Sequence, residues 1–319
     1  MPRNEQMHPQ DVACKANLRY WVIDFLITKR RKWQPTTLKI YTTVMTLYVA
    51  CVGEDHWPPT RQGVLYWLEE LERRVKPTTV HTYWIHLRTF LNYLEKVDVI
   101  SHNENPVHQI NKLELAPDKP DLPPVAFPAE DLNELFDCLT KQAKTGDAMA
   151  IRDLALLRFA YVTGCREGEI AQLTLDNLWV HQCEAQVLAE TSKDKKSRRV
   201  YFDDEVRQAL QDWFAVRPGA SDVREVFVSL GGRMGRGQSM KPRALYDILQ
   251  KWCKTAKIGC RKFHALRHTS AIDALDEGIS LEKVRRQLGH ANIKTTMGYL
   301  QGRDEDRARA YRSQSLSAG

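Results

Sequence analysis

Ala116-Pro117-Asp118-Lys119-Pro120-Asp121-Leu122-Pro123-Pro124 packs four prolines into nine residues. Each proline lacks a backbone donor, fixes its own φ and pushes the preceding residue out of the helical region, so neither a helix nor a central strand crosses this stretch. Asn105-Pro106 lies just upstream, and the whole run from Ile100 to Phe127 reads as extended linker. The chain is therefore expected to divide into a first domain over 1–110, a linker over 111–126 and a second domain over 127–319.

Working outward toward the amino terminus, apolar and aromatic residues recur at three- and four-residue spacings with almost no strand-like alternation. Four helices fit: near Leu18 to Lys29, from Pro35 onward, from about Thr60 to Arg73, and from Pro77 to about Leu94. The second and fourth open on the same Pro-Thr-Thr triplet, where proline suits a first helical turn. Toward the carboxyl terminus, long amphipathic helices are expected over Ala129 to Lys144 and Asp147 to Thr163, the latter closed by Gly164. A short helix near Glu167 to Leu173 precedes two β-like runs, Gln186 to Glu190 and Arg198 to Phe202, joined by the basic turn Thr191-Ser192-Lys193-Asp194-Lys195-Lys196-Ser197. Helical patterns resume over Asp204 to Val216, Lys241 to Lys257, His264 to Asp276, Leu281 to Leu288 and Lys294 to Leu300. The glycine-rich stretch from Gly231 to Gly237 has no phosphate-loop ending and reads as a surface loop. The expected fold is mainly α: a helical first domain, then a mixed α/β domain that is mostly helical with a small antiparallel sheet.

At 319 residues and 43% hydrophobic content, two domains can each bury a core. The formal charge of +7 suits an anionic partner, and the excess is spread: residues 1–119 carry 16 basic and 13 acidic side chains, the remainder 31 and 27. A single basic tail is excluded. Seven scattered cysteines without a CxxC pair argue against a disulfide framework and a cysteine zinc site. No window approaches the ~18 uninterrupted apolar residues of a membrane span, and Met1-Pro2-Arg3-Asn4-Glu5 lacks the apolar run of a signal peptide. The expectation is a cytoplasmic protein, associated with the nucleoid when bound to DNA, with no membrane partner.

Three segments of the second domain carry candidate chemistry: Thr163-Gly164-Cys165-Arg166-Glu167-Gly168-Glu169-Ile170, His264-Ala265-Leu266-Arg267-His268, and Leu288-Gly289-His290 followed nine positions later by Tyr299. Alone, each suits an ordinary ion pair, a helix face or a packed ring. Together and in this order, with a lysine in the hairpin turn, they resemble the tyrosine site-specific recombinase, or phage integrase, family. The absence of a long amino-terminal extension makes the compact Xer or integron type the closer likeness.

The resemblance implies that the first domain is a core DNA-binding domain and the second a catalytic domain. Together they would cleave and rejoin duplex DNA through a covalent 3′-phosphotyrosine, with no metal, cofactor or ATP. Arg166 and Arg267 would clamp the phosphate, since guanidinium presents paired planar donors that are always charged. His264 and His290 would bond the same phosphate and handle a proton near neutrality. Tyr299 would be the nucleophile, in preference to Tyr311, and Lys193 the proton donor to the departing 5′ oxygen, with Lys195 and Lys196 as neighbouring alternatives. Glu169 would orient Arg166 or the lysine, or form a plain helix ion pair.

Basic clusters suit phosphate contact: Lys29-Arg30-Arg31-Lys32, and Lys195, Lys196 and Arg198 of the hairpin. Thr78 and Thr79 at a helix start, and Arg243, are candidates for groove contact. The expected assembly is a homotetramer on two duplexes, although the charged tail over 304–312 has few apolar residues for docking on a neighbour. The settings the resemblance implies are integration of a mobile element and resolution of DNA dimers. A type IB topoisomerase-like relaxing enzyme and a non-catalytic DNA-binding relative are the alternatives.

Overall fold

The computed structural model describes residues 17–53, 57–110, 126–191, 196–219, 222–231 and 235–289. The chain divides into two compact units, Met1–Asp121 and Leu122–Gly319. Among the described residues no helix is long and apolar enough to cross a membrane.

The first unit contains α1 (Leu18–Arg30), α2 (Pro35–Val52), α3 (Arg61–Glu72), α4 (Pro77–Lys96) and the short α5 (Pro106–Gln109). Their starts follow local chemistry. Asn17 and Thr60 accept the backbone N–H of Arg19 and Gly63, and Pro35 and Pro77 occupy first-turn positions. The apolar stripes converge on one core, with Leu18, Phe25, Tyr48, Trp67, Leu87 and Phe90 fully or nearly fully buried. α5 corrects the expectation that extended chain begins at Ile100. Asn105 caps this helix by accepting the Val107 N–H at 3.0 Å and is itself fully buried, so the first ten residues of that stretch belong to the unit.

The second unit begins in described structure at Ala126. The Phe127 N–H donates to Thr269 Oγ1 at 2.9 Å. Its elements are α6 (Ala129–Ala143), α7 (Ala148–Thr163), α8 (Glu167–Ala171), β1 (Leu178–Trp179), β2 (Glu184–Val187), β3 (Arg198–Tyr201), α9 (Asp204–Val216), β4 (Val228–Leu230), β5 (Arg236–Ser239), α10 (Pro242–Thr255), α11 (His264–Asp276) and α12 (Leu281–Leu288). β1, β2 and β3 form one antiparallel sheet in that order, with Ala185 opposite Val200.

β4 and β5 form a second antiparallel pair where only a loop and helices were expected. Arg236-Gly237-Gln238-Ser239 carries no apolar alternation, so its pairing comes from the backbone of the buried Val228 strand rather than from a sequence pattern.

α7 is the centre of this unit. It is buried on nearly every side, Ala155, Leu156, Leu157 and Ala160 being fully enclosed. A helix so enclosed must also satisfy the polar groups it carries inward. Arg152 donates to Asp153 Oδ1 at 2.6 Å, and Trp252 Nε1 of α10 donates to Asp153 Oδ2 at 2.8 Å. Farther along, the Tyr161 hydroxyl donates to Asp273 Oδ2 of α11 at 2.6 Å. α10 and α11 are thereby fixed against the helix that leads into the turn before Arg166.

Candidate active site

α7 ends at Thr163, and Gly164 turns the chain with φ +61°. A Cβ here would collide with Leu288 Cδ2 of α12, so a left-handed backbone and the lack of a side chain both favour glycine at this turn. Arg166 follows as the cap of α8. Its backbone N–H donates to Glu169 Oε2 at 2.9 Å and its Nη1 to Glu169 Oε1 at 3.1 Å, a pairing that the three-residue spacing places on one helix side.

Glu169 is only 3% exposed and is shared by a second arginine. Arg198 Nη1 donates to Oε1 at 3.0 Å and Nη2 to Oε2 at 2.7 Å, a two-point grip. Burial pushes the carboxyl pKa up, but the hydrogen bonds and charge of Arg198, with the backbone and charge of Arg166, more than offset it. Glu169 is held below the usual carboxylate range and stays ionised.

Arg198, a DNA-contact candidate by sequence, serves in this structure as an internal brace. Its side chain is 10% exposed, and its Nε donates to Gln287 O at 3.0 Å. A Cβ on Gly289, whose φ is +70°, would meet the Arg198 side chain at 2.7–3.0 Å, from Cδ to Cζ. Hairpin strand, α8 and the end of α12 therefore meet on one side chain. The pairing of α12 with β3 is completed by Gln287, whose amide donates to Tyr201 O at 2.7 Å and accepts the Tyr201 N–H at 3.1 Å.

Arg267 joins the same turn from α11. It is 1% exposed, with Nη1 donating to Gly164 O at 2.5 Å and Nη2 to Leu288 O at 2.7 Å. Expected to clamp phosphate, it is enclosed here and holds two chain turns together. His264, the first residue of α11, is exposed, its ring edge-on to His268 at 4.6 Å. Burial first, then the charge of Arg267, pushes His268 down to about 4, so this ring is neutral near pH 7.

The structure therefore gathers Arg166, Glu169, Arg198 and Arg267 around the turn at Gly164, with His264 on the helix that carries Arg267. Lys193, Lys195, His290 and Tyr299 lie outside the described residues, and Lys196 is exposed beside β3. Arg243 is exposed on α10, pairs with Asp247 at 3.0 Å and lies over the Tyr246 ring, as a surface helix cation does.

In the first unit, Lys29 is drawn among the rings of Phe25, Trp33 and Tyr93, with Nζ 5.7–5.9 Å from their centroids, rather than held out to solvent. Arg30, Arg31, Lys32 and Thr78 are exposed and Thr79 is half-buried. Sequence reasoning missed the bracing roles of Arg198 and Gln287. Arg198 reads as one more basic hairpin residue, and the only hint for Gln287 is its place beside Leu288-Gly289.

Residues 127–306 match the model of the phage integrase family. The chain is 27% identical over 281 residues to the tyrosine recombinase XerC of Psychromonas ingrahamii, covering 86% of this chain and 88% of that protein. The XerC of Alcanivorax borkumensis is 27% identical over 278 residues, with 86% and 85% covered. Among solved structures, XerH site-specific recombinase in a post-cleavage complex with palindromic difH DNA superposes with a TM-score of 0.71 at 18% identity, covering 99% of this chain and 92% of that one, a likeness of fold. A family match over more than half the chain leads to one conclusion: the chain belongs to the phage integrase family.

Proposed function

We propose that the chain cleaves and rejoins duplex DNA at specific sites by transesterification, with Tyr299 as nucleophile. Its phenolic oxygen attacks the phosphorus of one backbone linkage, the bond to the 5′ oxygen breaks, and a 3′-phosphotyrosine retains the ester for resealing. The departing oxygen takes a proton from Lys193. Negative charge developing on the non-bridging oxygens calls for fixed cations, the part assigned to Arg166 and Arg267. His264 and His290 donate to the same phosphate and exchange a proton with the phenol, whose ordinary pKa of about 10 is too high for unaided attack.

The observation that carries this reading is the turn at Gly164: Arg267 donates to its carbonyl while Arg166 stands two residues on, so two distant segments of the chain meet at one turn. Arg267 would then act from an enclosed position, holding the turn as well as the phosphate. The first unit would be the core DNA-binding domain, using Arg30, Arg31 and Lys32 on phosphates. The active assembly would be a homotetramer on two duplexes.

The test uses nicked suicide duplexes built on inverted repeats flanking the gene. The native chain is expected to become covalently joined to the DNA 3′ end and Tyr299→Phe to form no adduct. Equal adduct from both would refute the assignment of Tyr299. Relaxation of supercoiled plasmid regardless of sequence would support the topoisomerase reading, and retention of DNA with no cleavage would support a binding protein.

A further inference from the structure

The end of the first unit gathers three side chains for which the strand-transfer chemistry has no use. Glu95 lies in the last turn of α4, His102 in the turn that follows and His108 in α5, and one donor atom from each lies within 4.8 Å of the others. Glu95 Oε1 is 2.8 Å from His102 Nδ1, and Oε2 is 2.9 Å from His108 Nε2. The two imidazole rings stack with centroids 3.9 Å apart.

Behind them stands a fixed support. Asn105, fully buried, donates Nδ2 to Glu95 Oε2 at 2.5 Å and to Asn92 Oδ1 at 3.2 Å while capping α5. That orients the carboxylate from behind, as outer hydrogen bonds orient the ligands of protein metal centres.

We propose that Glu95, His102 and His108 bind one divalent transition ion of the zinc class, with solvent completing its coordination, and so fasten α5 to the end of α4.

The donor set selects the ion. Two imidazoles and one carboxylate suit zinc and its neighbours, whereas magnesium and calcium prefer oxygen throughout. Zinc sits about 2.0–2.2 Å from such ligands, which puts neighbouring donor atoms of a tetrahedron roughly 3.3 Å apart. The two Glu95–histidine spacings, 2.8 and 2.9 Å, fall about 0.4–0.5 Å short of that value. The histidine side chains, 68% and 38% exposed, need only pivot to reach it, while Glu95 stays fixed by Asn105.

The three ligands span residues 95–108, so an ion adds a further tie across a loop of chain that Asn105 already fastens to the end of α4. Because the unfolded chain does not preform this triad, binding stabilises the fold. Cysteine spacing, which argues against a zinc site of the finger type, is silent about such a set.

The inference does not depend on the recombination chemistry and is tested without it. The full chain, stripped with chelator, is titrated with zinc against a chromophoric indicator and its melting temperature followed. One ion per chain and a rise in melting temperature on adding zinc are expected.

His102→Asn with His108→Asn should lose that ion and the rise, while melting like the stripped native chain. Glu95→Gln, which keeps an oxygen for Asn105, should weaken binding by more than the roughly 10- to 100-fold typical of outer-sphere changes. Equal zinc content in native chain and double variant would overturn the site, as would displacement of the zinc by equimolar magnesium.

Discussion

Arg198 illustrates how little of a side chain's task is visible in its type. Its guanidinium spans both oxygens of Glu169 and reaches Gln287 O, and Glu169 in turn holds Arg166. Lysine would keep the charge but cannot reproduce this fork, so Arg198→Lys forfeits at least one charge-assisted hydrogen bond, about 1.5–3 kcal/mol. If that loss falls on the placement of Arg166, strand cleavage slows roughly 10- to 100-fold. Suicide-substrate kinetics read beside a mobility-shift titration check it: cleavage should fall while affinity for DNA stays. Weakened affinity with unchanged cleavage would return Arg198 to phosphate contact. The spacing of Arg166 and Glu169 was legible because one helical turn fixes it; the third member was not, because it arrives from a strand 29 residues downstream.

Among the elements, α7 is the one on which the others are aligned. Its inward ion pair, Arg152 with Asp153, is almost fully buried and shares Asp153 with Trp252 of α10. Removing one partner of such a pair leaves the other charge without compensation at a cost of about 3–5 kcal/mol. Asp153→Ala is therefore expected to lower the stability of the second unit by that amount in urea denaturation, far from any reacting group. A change below about 1 kcal/mol would show that water reaches Arg152. The ends of α6, α7, α9 and α11 were readable from caps and apolar period. β4 and β5 were not, since the pairing of Arg236 to Ser239 with a buried strand leaves no periodic trace in its own residues.

For the whole molecule, acid is the condition that separates these contributions. His268 is held near 4 when folded against about 6.5 unfolded. Between those values only the unfolded chain binds the proton, so stability rises with pH across that window and is lost as pH falls through it. Glu169 acts lower. Its folded pKa is depressed, so its contribution is complete above the unfolded value of about 4.3 and is lost as pH falls through the folded one. Melting temperature followed from pH 7 to 3 should decline in two stages, and His268→Gln should flatten the stage between about 6.5 and 4 while leaving the lower one. Superimposable curves for the two chains would contradict the assignment to His268.

The amino-acid sequence by itself determined the longer helices among the described residues, the proline-rich stretch around residue 120, and an ordered run of arginine, histidine and tyrosine positions that resembles the family's. These are readable because capping, proline geometry and helical period act within a few residues of one another. Tertiary structure alone decided that Arg198 and Arg267 face inward, that Gln287 closes the edge of β3, and that Glu95, His102 and His108 converge. Those are facts about which distant segments become neighbours, and a buried charge is directed by the partner that compensates it rather than by the residues beside it in the chain.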